Sequence, residues 1–474
     1  MSIKLLAATP PVTENSYGGV TTVATDMPLQ RSSRRRFLAT IGVGAVGALA
    51  GCAASSSPGP ASLDWASDEW PVAHGLPTNV GYSRSKTAPR IDPTIEEWKL
   101  WHVAESESAV DRDWITAGLT SRPVVVGDTV FVTTGLTNRA IDAEDGGLFA
   151  LDATTGDLRW AAMLPKGGSG TPAVADGLVF AGSNDRGLTA FDAASGDVEW
   201  RTETGAPVGT PAVTGGHVYV GDRAGTVHAF RRTDGNLRWR YGQRPITSLV
   251  SDKRWWIRAK PAVTDDTVYV TTGIGEGDGT STDAGNLIAL SRSGGEERWR
   301  YEYRPKYGSY DMPRAPVVAD GTVFVGDATF HAVDAADGTR RWRFNSGHET
   351  VSAPAVHDGT VYVSSKNVYA LSADDGSERW RFVNLAGTDG MMSRRVPMES
   401  APVVTDDTVF VAAGALDSES GEKLWGDLGN QEEGEYFLSS RNQNAAVEGP
   451  AVTDGAVFMA TQYGLILRVT GGDR

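Results

Sequence analysis

Residues Ala150 to Trp160 read A-L-D-A-T-T-G-D-L-R-W. Their skeleton is an Ala, a Gly six residues on and a Trp four further. It returns ungapped as Ala150/Gly156/Trp160, Ala190/Gly196/Trp200, Ala229/Gly235/Trp239, Ala289/Gly295/Trp299, Ala332/Gly338/Trp342, Ala370/Gly376/Trp380 and Ala415/Gly421/Trp425. Such repetition marks supersecondary units that cannot bury their apolar face alone and must stack on their neighbours.

Ahead of each skeleton stands a second signature: a Pro, two apolar residues, a polar turn and an alternating apolar run, as in Pro172-Ala-Val-Ala-Asp-Gly-Leu-Val-Phe. This Pro occurs at 123, 172, 211, 261, 316, 354, 402 and 450, so eight first halves face seven second halves. The last unit stops at Leu465-Ile-Leu-Arg-Val-Thr-Gly-Gly with no Trp strand. Glu96-Glu97-Trp98, ahead of the first Pro, is an orphan strand of the same kind. The two chain ends are therefore expected to complete one unit together.

Each unit reads as four short strands, A to D from the axis outward, joined by Asp-Gly and other glycine-containing turns. Four antiparallel strands per unit make a propeller blade. The expected fold is all-β: an eight-bladed β-propeller of four-stranded antiparallel blades over residues 94–474, closed by an N-terminal strand in the last blade. A Trp on the outermost strand lies flat across the next blade only if the residue beneath is small and the turn it rests on lacks a side chain. Ala and Gly meet those conditions, and each indole buries on the order of 200 Å². Trp98, Trp160, Trp200, Trp239, Trp299, Trp342, Trp380 and Trp425 are read as structural docking residues.

Residues 27–52 read as an export leader. Arg31 to Arg36 supply the basic start, a short apolar and Gly-rich run follows, and Leu49-Ala-Gly-Cys52 ends it. The run is too short for a membrane span. Ser33-Arg34-Arg35-Arg36-Phe37-Leu38 resembles a twin-arginine signal, with Arg34 and Arg35 as the pair, and Leu49 to Cys52 resembles a lipobox whose Cys is lipidated. Cys52 is the only Cys, so no intramolecular disulfide forms. The implied location is the outer face of the cytoplasmic membrane, held by lipidated Cys52. Residues 1–26 read as an overlong gene start or a disordered segment, and 53–93 as a tether and irregular lead-in laid over the propeller.

The formal net charge is -15, and only nine of the 44 basic residues are Lys. An acidic surface repels nucleic acid and anionic lipid, so neither is an expected partner through basic patches. Acidity with a preference for Arg points to a salt-loving host, the alternative being a GC-rich genome.

The A-x-D-x-x-x-G-x-x-x-W skeleton is similar to the tryptophan-docking motif of pyrroloquinoline-quinone (PQQ) repeats, shared by quinoprotein alcohol dehydrogenases and by BamB-type outer-membrane assembly lipoproteins. The resemblance covers residues 96–474, and Trp70-Pro71 through Gly81-Tyr82 resembles the opening of exported proteins of this type. It implies one of two roles, a scaffold or a dehydrogenase with PQQ, calcium and a catalytic Asp. In the second role Asp311 would be the base, Trp255 or Trp256 the stacking partner, and Arg258 or Arg314 the carboxylate clamp. The adjacent-Cys disulfide of those dehydrogenases has no counterpart here.

In such a blade the D-to-A and B-to-C connections share one face, and every long connection here is of those two kinds. They include 241–258 with Arg254-Trp255-Trp256, 301–314 with Tyr307, Tyr310 and Asp311, 381–399 with Arg394-Arg395, 426–448, 135–147 and 273–285. This loop-rich face is read as the functional one. Trp255, Trp256, Arg258, Tyr310, Arg314, Arg394 and Arg395 are the candidate binding residues, aromatic and Arg side chains being the commonest anchors. The alternative is that these loops pack on one another. Beside the strand-A prolines, Arg122, Arg258, Lys260 and Arg314 would face Glu349, Glu399 and Glu448 across the axis, as a bipolar pocket or as mutually neutralising charges. Glu276 to Asp283 has oxygen ligands at loop spacing but fits a calcium loop poorly. No zinc site or hydrolase motif is present.

The expected function is that of a membrane-anchored monomer binding a protein or peptide partner, with no cofactor and no metal. The alternative is a quinoprotein dehydrogenase using PQQ and calcium on a small alcohol or sugar.

Overall fold

Strand B of the first unit, Thr129–Thr133, is β-branched and aromatic throughout and buried on both faces. Strand D of the second, Val198–Glu203, behaves differently, with Trp200 buried between exposed Glu199 and Arg201. The contrast recurs around the molecule because inner strands are pressed between two neighbouring sheets while the outermost has one edge in water.

The structure is a computed structural model describing residues 75–76, 78–91, 93–100, 120–135, 145–242, 253–257, 259–276, 284–303, 314–326, 329–347, 352–365, 367–383, 401–411, 414–426, 449–460 and 464–471. The chain divides into two compact units, Met1–Ser57 and Pro58–Arg474, and every described residue belongs to the second. The proposed leader and Cys52 lie outside the described residues.

The strands form eight antiparallel sheets, an eight-bladed propeller. Blades 1 to 8 span 124–165, 173–203, 212–242, 253–303, 317–344, 355–382, 403–426 and 451–471, and the last is joined by Pro93–Lys99. That strand runs antiparallel to Leu465–Gly471, with Trp98 opposite Ile466 and Pro93 opposite Gly471. It starts three residues earlier than the orphan strand read from Glu96. One core cluster takes in Trp98, Phe149 of blade 1, Phe410 and Trp425 of blade 7 and Phe458 of blade 8.

Seven of the eight indoles dock as the skeleton requires. Ala150 and Trp160 are cross-strand partners, and a bulge follows at once, so that Leu151 pairs with Leu158 and Arg159 is the extra residue. The bulge adds twist and tips the Trp over the adjacent blade. There the indole covers a glycine: a Cβ on Gly196 would lie 2.6 Å from the Trp160 ring, one on Gly235 2.5 Å from Trp200 and one on Gly338 2.7 Å from Trp299. These glycines have φ of +77°, +68° and +77°, a region that favours glycine. The indole N–H then donates to a carbonyl of the same turn, Trp160 to Ala193 at 3.0 Å and Trp342 to Ala373 at 2.8 Å. An aromatic from strand B leans on the other side of every docking Trp, as Phe131 does on Trp160 at 5.9 Å and 51°.

Two expectations need correction. Blade 4 has five strands, because Lys253–Trp256 pairs with the upper part of Thr267–Glu276, above the short strand A at Ala262–Val263. The connection read at 273–285 is also partly strand, with Gly273 paired to Gly285 and Ile274 to Ala284. The glycines there are not turn formers. They clear space for rings, since a Cβ on Gly273 would sit 2.7 Å from Trp256 Nε1 and one on Gly285 2.4 Å from Tyr303. The lead-in is irregular and lies over the propeller, residues 78–85 running along the inner strands of blades 5 to 8.

Replacing Gly338 by Ala should cost about 2–4 kcal/mol, through the left-handed backbone and the collision with Trp299 together. Gly177 has φ +74° and open space around its Cα, so Gly177→Ala should cost only about 1 kcal/mol. Urea unfolding followed by Trp fluorescence compares the two. A second test concerns His331, whose Nδ1 lies 3.0 Å from the Tyr301 hydroxyl. Burial, then the charges of Arg340 and Arg343, push its pKa down to about 4. The unfolded chain takes up this proton as pH falls through about 6.5, before the folded protein does, so stability is lost between pH 6.5 and 4. In His331→Gln that part of the pH dependence should vanish from the urea midpoints.

Candidate functional site

Strand A runs from the loop-rich face towards the opposite, plain face, and the residue before its Pro stands at the axis. Around the ring these are Arg122, Thr171, Thr210, Lys260, Ala315, Ala353, Ala401 and Gly449. The ring is thus cationic at blades 1 and 4, hydroxylated at 2 and 3, and small at 5 to 8.

The small side is what lets Arg122 cross. Its Nε donates to the Gly449 carbonyl at 3.2 Å and one terminal nitrogen to the Ala401 carbonyl at 3.3 Å, and the side chain is buried. A Cβ at Gly449, where φ is +94°, would meet that guanidinium at 2.1 Å. Ala315, Ala353 and Ala401 form a small apolar cluster opposite. Lys260 is also buried, and its Nζ donates to the Leu76 carbonyl at 2.9 Å. Desolvation, then the nearby charge of Arg122, holds its pKa well below the ordinary lysine value. Of the four cations assigned to this arc, Arg122 and Lys260 come together electrostatically, Arg314 is half-buried, and Arg258 lies outside the described residues. Glu349, Glu399 and Glu448 lie outside them as well.

The added strand Lys253–Trp256 rises at the inner edge of blade 4. Its two indoles point to opposite faces of the sheet. The Cβ and backbone of Trp255 pack against Gly225 in the B-to-C turn of blade 3, where an added Cβ would lie 2.6 Å from the Trp255 Cβ, and the Trp255 ring is half-buried. Ile257 follows on the same side, its N–H donating to the Asp222 carbonyl at 2.9 Å. Trp256 is buried on the side of blade 5, in one cross-strand row with Gly273, Gly285 and Tyr303. Nε1 of each indole is buried without an acceptor. The Trp256 ring and the Trp255 Cβ and backbone are therefore committed to the seams that hold the strand upright. Tyr310, Asp311, Arg394, Arg395 and the remaining long connections fall outside the described residues.

Sequence reasoning missed the pair at the foot of this strand. Asp222 Oδ2 and His228 Nε2 are 2.9 Å apart and both buried, with the imidazole stacked on Phe230 at 5.6 Å. Asp222 Oδ1 meanwhile accepts the N–H groups of Ala224 and Thr226. The signal was available as D-R-A-G-T-V-H, an acid and a His six residues apart across a turn.

A quinone cofactor needs a free aromatic face and, with calcium, a convergent set of oxygens. The Trp256 ring is taken up by Gly273, and the Trp255 ring is half-buried. Among the described residues no three His, Cys, Asp or Glu side chains gather as a metal requires. Asp311 and most of the long connections that would hold such groups lie outside the described residues.

Comparison with known proteins agrees with the geometry of the wheel. A stretch of 208 residues is 30% identical to the serine/threonine-protein kinase AfsK of Streptomyces griseus, covering 40% of this chain and 20% of the kinase. The chain thus matches about a fifth of that relative's length. Among solved structures, the quinohemoprotein alcohol dehydrogenase of Comamonas testosteroni superposes with a TM-score of 0.59 at 16% identity, over 86% of this chain and 81% of that one. A europium-containing methanol dehydrogenase does so at 0.54 and 14% identity, over 85% and 98%. At such identities the likeness is one of fold. The profile of the family described as outer membrane protein assembly factor BamB matches residues 96–252 and 247–473, so the chain belongs to that family of PQQ-like repeat propellers.

Proposed function

We propose that this protein is a membrane-anchored binding module, exported through the Arg34-Arg35 signal and held by lipidated Cys52, that engages a protein or peptide partner with its loop-rich face. The observation that carries this reading is the fifth strand of blade 4. Among the described residues it pairs only with strand B, so its axis-side edge is unpaired in its sheet. An upright strand with an edge unpaired in its sheet, braced by buried Trp256, suits the addition of an extended segment. The plain face, with its short A-to-B and C-to-D turns, offers no comparable feature. Family membership supports the same reading, since the family is described by a role in protein assembly.

Arg314, half-buried beside the axis, and Arg258, Tyr310, Arg394 and Arg395 on the surrounding connections are the residues assigned to the partner. Trp255 and Trp256 serve it indirectly, by fixing the strand. A dehydrogenase role would need Asp311, PQQ and calcium, and the burial of Trp256 against Gly273 argues against it as the stacking partner.

With a membrane partner captured from solubilised membranes and identified, the full chain carrying Tyr310→Ala, Arg394→Ala and Arg395→Ala should bind it at least about tenfold more weakly, a loss of about 1.4 kcal/mol. Unchanged affinity would move the site elsewhere. Titration of the wild-type protein with PQQ and calcium should leave the quinone absorbance unsaturated and give no dye-linked alcohol oxidation. Saturable binding with turnover would replace the scaffold reading by the enzyme.

A further inference from the structure

Seven of the eight seams between blades are closed by a glycine turn of the following unit. The seam between blades 7 and 8 cannot be, because strand C of blade 8 ends the repeat region and its strand D comes from the front of the chain. Among the described residues no C-to-D turn lies there for Trp425 to cover. Blade 7, like blade 2 with Glu199, also lacks the guanidinium that five other blades place before their docking Trp. In blades 1, 4, 5 and 6 the bulged residue before the docking Trp is an Arg that folds back over its own blade. Arg159 binds Asp128 and Asp152, Arg298 binds Asp266, Arg341 binds Asp334, and Arg379 binds the Thr360 hydroxyl. In blade 7 that position is Leu424.

The lead-in makes good both deficits with two consecutive residues. The Pro89 carbonyl accepts the Trp425 indole N–H at 3.0 Å, as turn carbonyls do in the other seams. The guanidinium of Arg90 reaches Asp407 and Asp417 at 2.5 Å each, the same pair of positions that Arg159 bridges in blade 1. Upstream, the segment is fastened to one inner strand after another. Asn79 Nδ2 donates to the Pro316 carbonyl at 2.8 Å, and the carbonyls of Thr78, Val80 and Gly81 accept the N–H groups of Val318, Val356 and Val404. The hydroxyls of Ser83 and Ser85 donate to the Val452 and Thr453 carbonyls, each at 2.9 Å. The Tyr82 ring stacks on His357 at 4.2 Å while its hydroxyl donates to Asp406, which also pairs with Lys86. Gly81 has φ +64°, and a Cβ there would lie 3.0 Å from Ala355 and 3.2 Å from the Pro402 carbonyl, so only glycine lets the strap come this close.

We infer that residues 76–90 are a clasp that closes the seam between blades 7 and 8 and that governs whether this one seam opens: its release exposes Trp425 and frees Pro93–Lys99 from the end of the repeat region. The inference is independent of what the loop-rich face binds. Closed repeat proteins are stabilised by neighbour interfaces, so the interface assembled from a remote segment is where opening begins.

Hydrogen–deuterium exchange on the full chain tests this with two variants. Arg90→Ala removes exposed ion pairs and leaves the packing intact, and Gly81→Val lifts the strap. In both, amides of 408–411, 423–426, 465–471 and 93–99 should exchange at least about tenfold faster, while those of 178–203 in blade 2 keep their wild-type rates. Arg341→Ala, which removes the corresponding guanidinium from an ordinary blade, should leave the blade 7–8 amides unchanged. Equal acceleration in every blade, or none at the seam in Arg90→Ala, would overturn the clasp. If Gly81→Val fails to fold, Arg90→Ala alone decides.

Discussion

The molecule depends on an indole lying on a glycine. Every blade ends in a Trp that leaves its own sheet to cover the next, and in seven of the eight seams the cover works only because the turn beneath has no side chain and a positive φ. The burial is worth up to about 5 kcal/mol per seam before conformational entropy is subtracted. The N–H to carbonyl bond adds direction more than strength, because the exchange with water is nearly even. It fixes which face of the ring meets which turn, and so holds successive blades at one angle. The opposing aromatic from strand B, such as Tyr269 tilted at 48° on Trp299, keeps the indole from rotating away.

Identical seams make a symmetrical wheel, and function has to come from the departures. Blade 4 departs most. Two glycines that would be penalised in an ordinary strand are placed opposite each other, and the room they leave is taken by Trp256 and Tyr303. The gain is a strand raised above the others on one face, fixed by the Trp256 ring on one side and by the Trp255 Cβ and backbone against Gly225 on the other. Beneath it, Asp222 and His228 turn their polar atoms towards each other in a site closed to water. The axial ring is uneven in the same sense, with cations from blades 1 and 4 reaching towards small residues on the far side.

The Ala/Gly/Trp skeleton was legible because each of its constraints is stated seven times, and the orphan strand at Trp98 because one unit lacked what the others had. The fifth strand was not. Gly273 and Gly285 look like turn glycines, and nothing in a single copy of K-R-W-W tells a loop anchor from a strand that fills a gap. The lead-in was hidden for a related reason. Leu424 in place of Arg and the missing last turn were both visible as defects, but what repairs them lies more than 300 residues away in sequence, in a stretch with no period of its own. Of the site, Trp255 and Trp256 could be assigned to the right face from loop length alone. Their role as braces could not, because it depends on Gly225 in one neighbour and Gly273 beneath.

The bias towards Arg also has a source inside the fold. Ten arginines stand directly before or after a docking Trp: Arg159, Arg238, Arg298, Arg341 and Arg379 before it, Arg201, Arg240, Arg300, Arg343 and Arg381 after it. At the bulge the side chain must span two acceptors on different strands, as Arg159 does between Asp128 and Asp152, drawing the Asp152 carboxyl down to about 2 together with the N–H groups of Thr155 and Thr154. A planar fork with several donors can do this, whereas a single ammonium group bonds one acceptor well at the expense of the other. The acidic residues of the A-to-B and C-to-D turns are thus partly the complement of these arginines. The composition that suggests a saline habitat is in this respect a property of the blade, and the segment that closes the ring obeys the same rule, since the residue it contributes to blade 7 is Arg90.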